Sequence, residues 1–421
     1  MVDRLYYTDS FLTRFDAVVT DIRLVSRTGG EALWQVALDR SAFYPTSGGQ
    51  PFDKGNLTAT SRNGAVLEVA IDEVSEDEQG EVWHYTTKPL VAGTEVQATI
   101  DWQRRLDHMQ QHSGQHLLSA IFSRELGAHT VSFHLGEESS TIDLNTASIA
   151  HASIERMERI ANEIIAQDRS VSIRTVSREQ ADALLAAGQL RKLPEREGDI
   201  RLIEIEGIDL NACGGTHVRS TGQIGGLAVR STEKVRHGLR VEFVCGLRAV
   251  AAARRDFSLL AQSAAALSIS ASQVPQSIER MLAETKQAAK DRQKLREEIA
   301  RYEAADLLTK AFTHGGVHIV RHSFVDHDAD YIKVLASKLT SNAGAVALLS
   351  STQQEPASVV FARSADLKFS CGELLKSALV ELGLRGGGSS TMAQGEVPHS
   401  ALKTLFDRLE ATARASTLPE A

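Results

Sequence analysis

Gln111-His112-Ser113-Gly114-Gln115-His116 and, far downstream, Asn211-Ala212-Cys213-Gly214-Gly215-Thr216-His217 are the two stretches whose reading decides this chain. His112 and His116 stand four apart at the start of a helical run, Leu117-Leu118-Ser119-Ala120-Ile121-Phe122, so both imidazoles project from one face about a turn apart. In the second stretch a thiol and an imidazole flank a Gly-Gly, which lets the backbone turn tightly enough for both side chains to face one point. On its own, an H-x3-H pair is more often two surface or satisfied core histidines. Joined to Cys213 and His217, it completes a four-ligand set suited to zinc. His108 lies four residues before His112, so position alone allows either pair, or three histidines on one stripe.

The rest of the composition bounds the setting. At 421 residues the chain has room for roughly two to four domains with sizeable cores. The N-terminus lacks a signal-peptide pattern, and no apolar run is long enough to span a bilayer, so the expected location is cytoplasmic, with no membrane partner. Cys213, Cys245 and Cys371 are odd in number and far apart, which fits a reducing compartment and a thiolate free to hold metal. The net charge of −8 argues against broad phosphate binding, so any nucleic-acid contact must be local. From Arg230 to Asp256, Arg230, Lys234, Arg236, Arg240, Arg248, Arg254 and Arg255 outnumber Glu233, Glu242 and Asp256. A solvated charged face is the alternative reading of these residues.

Periodicity divides the chain into an α+β arrangement. Residues 1–100 read as short alternating strands, at 17–22, 33–38 and 66–71, separated by Gly and Asn turns, which suggests a small N-terminal β-barrel domain. Residues 101–248 read as a central α/β domain: the histidine helix, a strand across 126–136, an amphipathic helix over 153–167, and strands at 171–175, 200–205 and 239–244. From Leu247 to His314 there is no glycine and one proline, so 249–314 reads as a long helical connector, hairpin or coiled coil, with Pro275 in a first turn. Val274, Ile278, Met281, Thr285, Ala288, Arg292, Leu295, Ile299 and Tyr302 form an imperfect heptad seam that could pair with its own preceding helix or with a second subunit in a homodimer. Residues 315–421 read as a C-terminal α/β domain with buried strands at 317–320, 345–349 and 358–362 and helices at 331–339, 371–382 and 400–411.

The two histidine-bearing motifs, in this order, resemble the zinc site of editing domains found in alanyl-tRNA synthetases and their free-standing relatives, the AlaX-type alanyl-tRNA editing proteins. Cys213-Gly214-Gly215-Thr216-His217-Val218 reads as the alanyl rather than the threonyl form, and Gly48-Gly49-Gln50-Pro51 is similar to a segment of the same modules. That Gly-Gly segment is expected to support the active-site mouth through backbone amides; a tight β-turn is its plainer reading. The resemblance picks His112 and His116 over His108, because a small hydroxyl residue, Ser113, follows the first ligand. The Gly-rich run Gly386 to Gly395 resembles the C-terminal domain that follows such editing domains, a domain for tRNA binding or dimerisation.

The resemblance implies a zinc-dependent hydrolase for tRNA(Ala) wrongly carrying serine, and perhaps glycine. The barrel starts at the N-terminus with no aminoacylation domain before it, so action in trans is expected. Four protein ligands saturate a tetrahedral ion, so zinc either activates water or positions the tRNA end while other groups hold the water. Thr130 falls where editing modules place a threonine against the serine hydroxyl, and a polar contact of that kind can discriminate by roughly 10⁴. Asp209, four residues before Cys213, is the candidate catalytic carboxylate, or else orients a ligand by hydrogen bonding. Ser132-Phe133-His134 departs from the synthetase pattern, where a glutamine is common. Two alternatives stand beside this reading: a metal-dependent phosphoesterase using Asp326-His327-Asp328-Ala329-Asp330, and an RNA-binding module with a structural zinc.

Overall fold

The computed structural model describes residues 2–28, 31–195, 198–236 and 238–415. The chain divides into two compact units, Met1–Gln262 and Ser263–Ala421.

The first unit opens with an antiparallel sheet of seven strands in the order Val66–Ile71, Gly55–Thr60, Glu95–Ile100, Arg14–Thr28, Glu31–Leu38, Val82–Thr86 and Glu73–Glu76. The long strand Arg14–Thr28 changes partner along its length, pairing with Glu95–Ile100 through Arg14 to Val18 and with Glu31–Leu38 from Val19 onward. This double pairing curls the sheet around Val36, Leu38, Phe43, Leu57, Val69, Ile71 and Val96, which are buried together. The expected barrel is not closed. Its two edge strands, Val66–Ile71 and Glu73–Glu76, are joined in sequence by Asp72 alone, so the chain itself turns the corner and leaves no room for a ladder between them.

Helix α1 (Trp102–Leu126) follows directly, capped by Asp101, whose side chain accepts from the Arg104 amide at 3.1 Å, and stopped by Gly127 in the left-handed conformation. Arg105 anchors α1 to the sheet. This fully buried guanidinium donates to Asp53 and to the carbonyls of Ser10 and Ala42. A four-stranded antiparallel sheet, ordered Thr130–Leu135, Ser140–Leu144, Gly238–Cys245 and Leu227–Val235, packs against α1 and α2 (His151–Ala166). Ile154, Met157, Ala161, Ile164 and Ile165 line the buried face of α2, as its spacing predicts. A three-stranded sheet, Val171–Val176, Ile200–Ile205 and Asp209–Ala212, brings the second motif to the end of its last strand. Helix α3 (Arg178–Ala186) carries a capping box between Ser177 and Gln180.

The glycine-free run is two helices rather than one. Helix α4 (Gly246–Ala266) ends where Ser268 takes a positive φ of 55°, and a short turn at Ala271–Gln273 leads into α5 (Val274–Thr309), with Pro275 in its first turn as expected. Of the heptad seam Val274 is buried, while Ile278, Met281, Leu295, Ile299 and Tyr302 are exposed. α5 instead buries Ala300 and Ala304, small residues four apart that let the neighbouring helix approach closely.

That neighbour is α6 (Ala329–Thr340), which connects the parallel strands Val317–Phe324 and Ala345–Ser351 in a six-stranded sheet completed by Phe312–His314, Ala357–Arg363, Met392–Val397 and Gly386–Gly388. Ala345–Ser351 is buried throughout because both its faces are covered. Val346 and Leu348 face α7 (Cys371–Glu381) and α8 (His399–Ala415), while Ala347 and Leu349 face α5 and α6. The Gly-rich run is an edge hairpin, not a loop: Gly386–Gly388 pairs antiparallel with Met392–Val397. The acidic stretch at 326–330 serves the fold, since the Asp328 side chain caps α6 by accepting from the Tyr331 amide at 2.7 Å and pairs with Arg296.

Candidate metal centre and substrate cavity

Helix α1 is buried almost without interruption from Arg105 to Phe122, yet it carries His108, Gln110, Gln111, His112, Ser113, Gln115, His116 and Ser119. Polar side chains in such a place need partners. Gln111 exchanges hydrogen bonds with the backbone of Cys245 at 2.8 and 3.0 Å, and Gln110 donates to the Gln223 carbonyl at 3.0 Å. These tie the helix to the sheet end and fix its rotation.

With the rotation fixed, His112 and His116 meet the second motif. Ligand atoms of His112, His116, Cys213 and His217 all lie within 4.8 Å of one another. Cys213 Sγ is 3.5 Å from His112 Nε2 and 3.3 Å from His217 Nε2. Every imidazole has its other nitrogen engaged: His112 Nδ1 faces Gln50 Oε1 at 2.8 Å, His217 Nδ1 faces Ser113 Oγ at 3.1 Å, and His116 Nδ1 faces Asp209 Oδ2 at 3.3 Å. Three Nε2 atoms and one thiolate sulfur are thereby turned inward, the arrangement in which second partners set a histidine for metal. Three borderline nitrogens and one soft sulfur suit zinc better than a hard cation. Among the described residues, no second group of three or more such side chains converges.

The loop that delivers Cys213 and His217 is held by Arg201, which donates to the carbonyls of Cys213 at 2.6 Å, Gly215 at 3.0 Å and Tyr7 at 2.9 Å. Gly215 is required by close approach: a Cβ there would overlap the His112 ring. Burial opposes ionisation of Cys213, but His112 and His217, with hydrogen bonds from His112 and His116, outweigh it and hold the thiol well below its usual range. Burial likewise disfavours a charged His116, yet hydrogen bonds to Asp209 and Cys213 raise it to about 10. His108 is not part of the cluster. It is buried with Nδ1 unpartnered, and burial, reinforced by Arg104 and Arg248, pushes it down to about 3.

Beside the four ligands lies a cavity of about 410 Å³. Its lining includes the ligands His112, His116 and Cys213, the polar Gln115, Ser119 and Thr130, and Phe133, Arg191 and Lys192. Thr130 is in the cavity lining, and its Oγ1 donates to Ser119 Oγ at 2.7 Å. Asp209 is not a lining residue; its carboxylate is committed to His116, Arg191 and Asn211.

The Gly48-Gly49-Gln50 segment contributes more than backbone. Gly48 lines the cavity, and at Gly49, where φ is +83°, a Cβ would stand 2.8 Å from the Phe133 ring. The two glycines thus let the turn dock, and Gln50 reaches past them to His112. Its Oε1 also accepts the Thr216 amide at 3.0 Å, and its Nε2 donates to Thr216 Oγ1 at 2.8 Å. The basic run after residue 230 is partly spent on internal ion pairs: Arg230 with Asp256, Arg240 with Asp143 at 2.8 Å, and Arg248 with Asp107.

Residues 200–241, which include Cys213 and His217, match the family model for the threonyl and alanyl tRNA synthetase second additional domain. Residues 2–104 match the model for class II (A) tRNA synthetases. The alanyl-tRNA editing protein AlaX-L of Pyrococcus horikoshii is 30% identical, over 94% of this chain and 95% of that protein. AlaX-M of Methanosarcina mazei is 34% identical over 55% of this chain and 92% of its own length. The alanine–tRNA ligase of Pyrococcus furiosus is 31% identical over 93% of this chain, which spans only 42% of that ligase. No helix among the described residues is long and apolar enough to cross a membrane.

Proposed function

The chain belongs to the alanyl-tRNA editing protein family, and from that membership we propose that it is a zinc-dependent hydrolase that deacylates, in trans, tRNA(Ala) mischarged with serine or glycine. The observation that supports this most is the convergence of His112, His116, Cys213 and His217, three of which line a cavity that also carries the hydroxyl and amide groups of Gln115, Ser119 and Thr130. A zinc ion held by these four residues would supply positive charge and Lewis acidity for ester hydrolysis.

The chain's own residues do the rest. Gln50, Ser113 and Asp209 keep the three imidazoles aimed before substrate arrives, so no reorganisation is needed during reaction. Asp209 is a positioning residue in this scheme, because its oxygens are already committed. Thr130 faces the amino-acid side chain, and Lys192 at the rim meets the phosphate of the acceptor end. We read 1–100, 101–248, 249–314 and 315–421 as successive functional segments, the last serving tRNA binding or dimerisation.

Purified protein incubated with seryl-tRNA(Ala) is expected to release serine, and a His116→Ala variant to lose that activity. A second reading, an RNA-binding module with a structural metal, is favoured by the four-ligand shell, which leaves a tetrahedral ion no open position. Tight tRNA binding by the wild-type protein without ester release would establish that reading and end the hydrolase proposal.

A further inference from the structure

Helix α1 places Gln115, between the two ligand histidines, and Ser119, four residues on, in the cavity lining. Both are more than nine-tenths buried, at 6% and 4% exposure. Gln115 Nε2 donates to Ser119 Oγ at 2.9 Å, and Thr130 Oγ1 donates to the same oxygen at 2.7 Å. Ser119 Oγ has two lone pairs, and both are then filled. Its own proton is then left to turn toward the cavity that Ser119 lines. At the other end of the relay, Gln115 Oε1 is buried with no partner. A buried carbonyl oxygen left unmatched costs free energy, and Gln115 belongs to the cavity lining, so a ligand donor that reached this oxygen would remove that cost.

Together the relay offers one acceptor, Gln115 Oε1, and one donor, the Ser119 hydroxyl. A ligand hydroxyl is both donor and acceptor and satisfies the two at once. A methyl group or a hydrogen atom satisfies neither and leaves both unpaired in a dry site. We propose that Gln115 and Ser119 form the hydroxyl-reading pair of this cavity, with Gln115 Oε1 accepting the hydroxyl proton of the seryl group and Thr130 holding Ser119 in place. This rests on the deacylase reading above and assigns its serine specificity to residues on the metal-bearing helix as well as to Thr130.

The test compares kcat/KM for release of serine and of alanine from tRNA(Ala), with metal content measured for each protein. Gln115→Met keeps length and flexibility but removes both amide groups, and Ser119→Ala removes the donor. Each is expected to lower the serine-to-alanine ratio by about 10-fold to 100-fold, chiefly through slower serine release, with metal content unchanged. Equal losses on both substrates, or an unaltered ratio in metal-replete Gln115→Met, would overturn the assignment while leaving the deacylase reading intact. Wild-type protein that releases neither amino acid would remove the deacylase reading and this inference with it.

Discussion

Gln50 Oε1 lies 2.8 Å from His112 Nδ1, so a side chain from the Gly48-Gly49 turn sets the ring of a ligand on α1. The contact joins the turn that carries Gln50 to helix α1, segments that share no local pattern. Replacing Gln50 by leucine removes the acceptor that fixes His112 and leaves the buried Thr216 amide and hydroxyl without their partner. Metal affinity, measured by competition with a chromophoric chelator, should fall about 10-fold to 100-fold, the usual cost of losing such a partner. Unchanged affinity would mean that His112 is held by packing alone.

Gly215 makes a sharper steric prediction. Because a Cβ at this position would overlap the His112 ring, Gly215→Ala must push the imidazole or the Cys213 loop aside. Overpacking of this kind costs about 1–3 kcal/mol. Urea unfolding should show a loss in that range, and metal content per protein should drop with it. Gly214, whose Cβ would meet only the Tyr7 ring edge and hydroxyl at ordinary contact distances of 3.6 Å and more, should tolerate alanine with metal retained.

Much of this site was legible in the sequence, for a physical reason. The spacing of His112 and His116 is a helical period, and Cys213 and His217 bracket a Gly-Gly turn, so each half declares its geometry within a few residues. Ser113, Gln50 and Arg201 could not be read the same way, because their partners lie 104, 62 and 12 to 194 residues off in sequence. The signal for Gln50 was its place in Gly48-Gly49-Gln50-Pro51, which is similar to a segment of the editing modules and pointed to the backbone rather than to this side chain. Helix α2 and the strand Ala345–Ser351 followed from periodicity because one core face or two were buried. The closed barrel failed because strand alternation says nothing of how edges meet. Ala300 and Ala304, which α5 buries against α6, lie outside the heptad seam, so the apolar spacing did not point to them.

The Arg105–Asp53 pair is fully buried on both sides, and Asp53 also accepts the Tyr44 amide at 2.6 Å. Asp53→Leu leaves the guanidinium charged without its counter-ion, and an uncompensated buried charge costs about 3–5 kcal/mol. Since Arg105 fastens α1 to the first sheet, the same variant should loosen the metal site, seen as faster metal loss to chelator. Combining Asp53→Leu with Arg105→Met removes both charges and should recover much of the stability lost. Failure of the double variant to recover would show that the carbonyls of Ser10 and Ala42 need the guanidinium as much as the aspartate does.

His84 supplies a pH dependence outside the metal site. Its Nδ1–H donates to the Val36 carbonyl at 3.0 Å, and its Nε2 lies 2.8 Å from the Ser41 hydroxyl, a neutral tautomer matched on both sides. Burial holds it at about 4, well below its ordinary 6.5, against the opposing pull of the Val36 carbonyl. Between those values the unfolded chain binds a proton that the folded chain does not, so stability rises with pH across the window. The contribution is complete above pH 6.5 and is lost as pH falls toward 4, a change on the order of 3 kcal/mol. His84→Gln cannot titrate, so chemical denaturation from pH 7.5 to 4.5 should give a slope shallower by up to one proton than the wild type. Parallel slopes for the two proteins would show that His84 takes up its proton in the folded sheet as readily as in the unfolded chain.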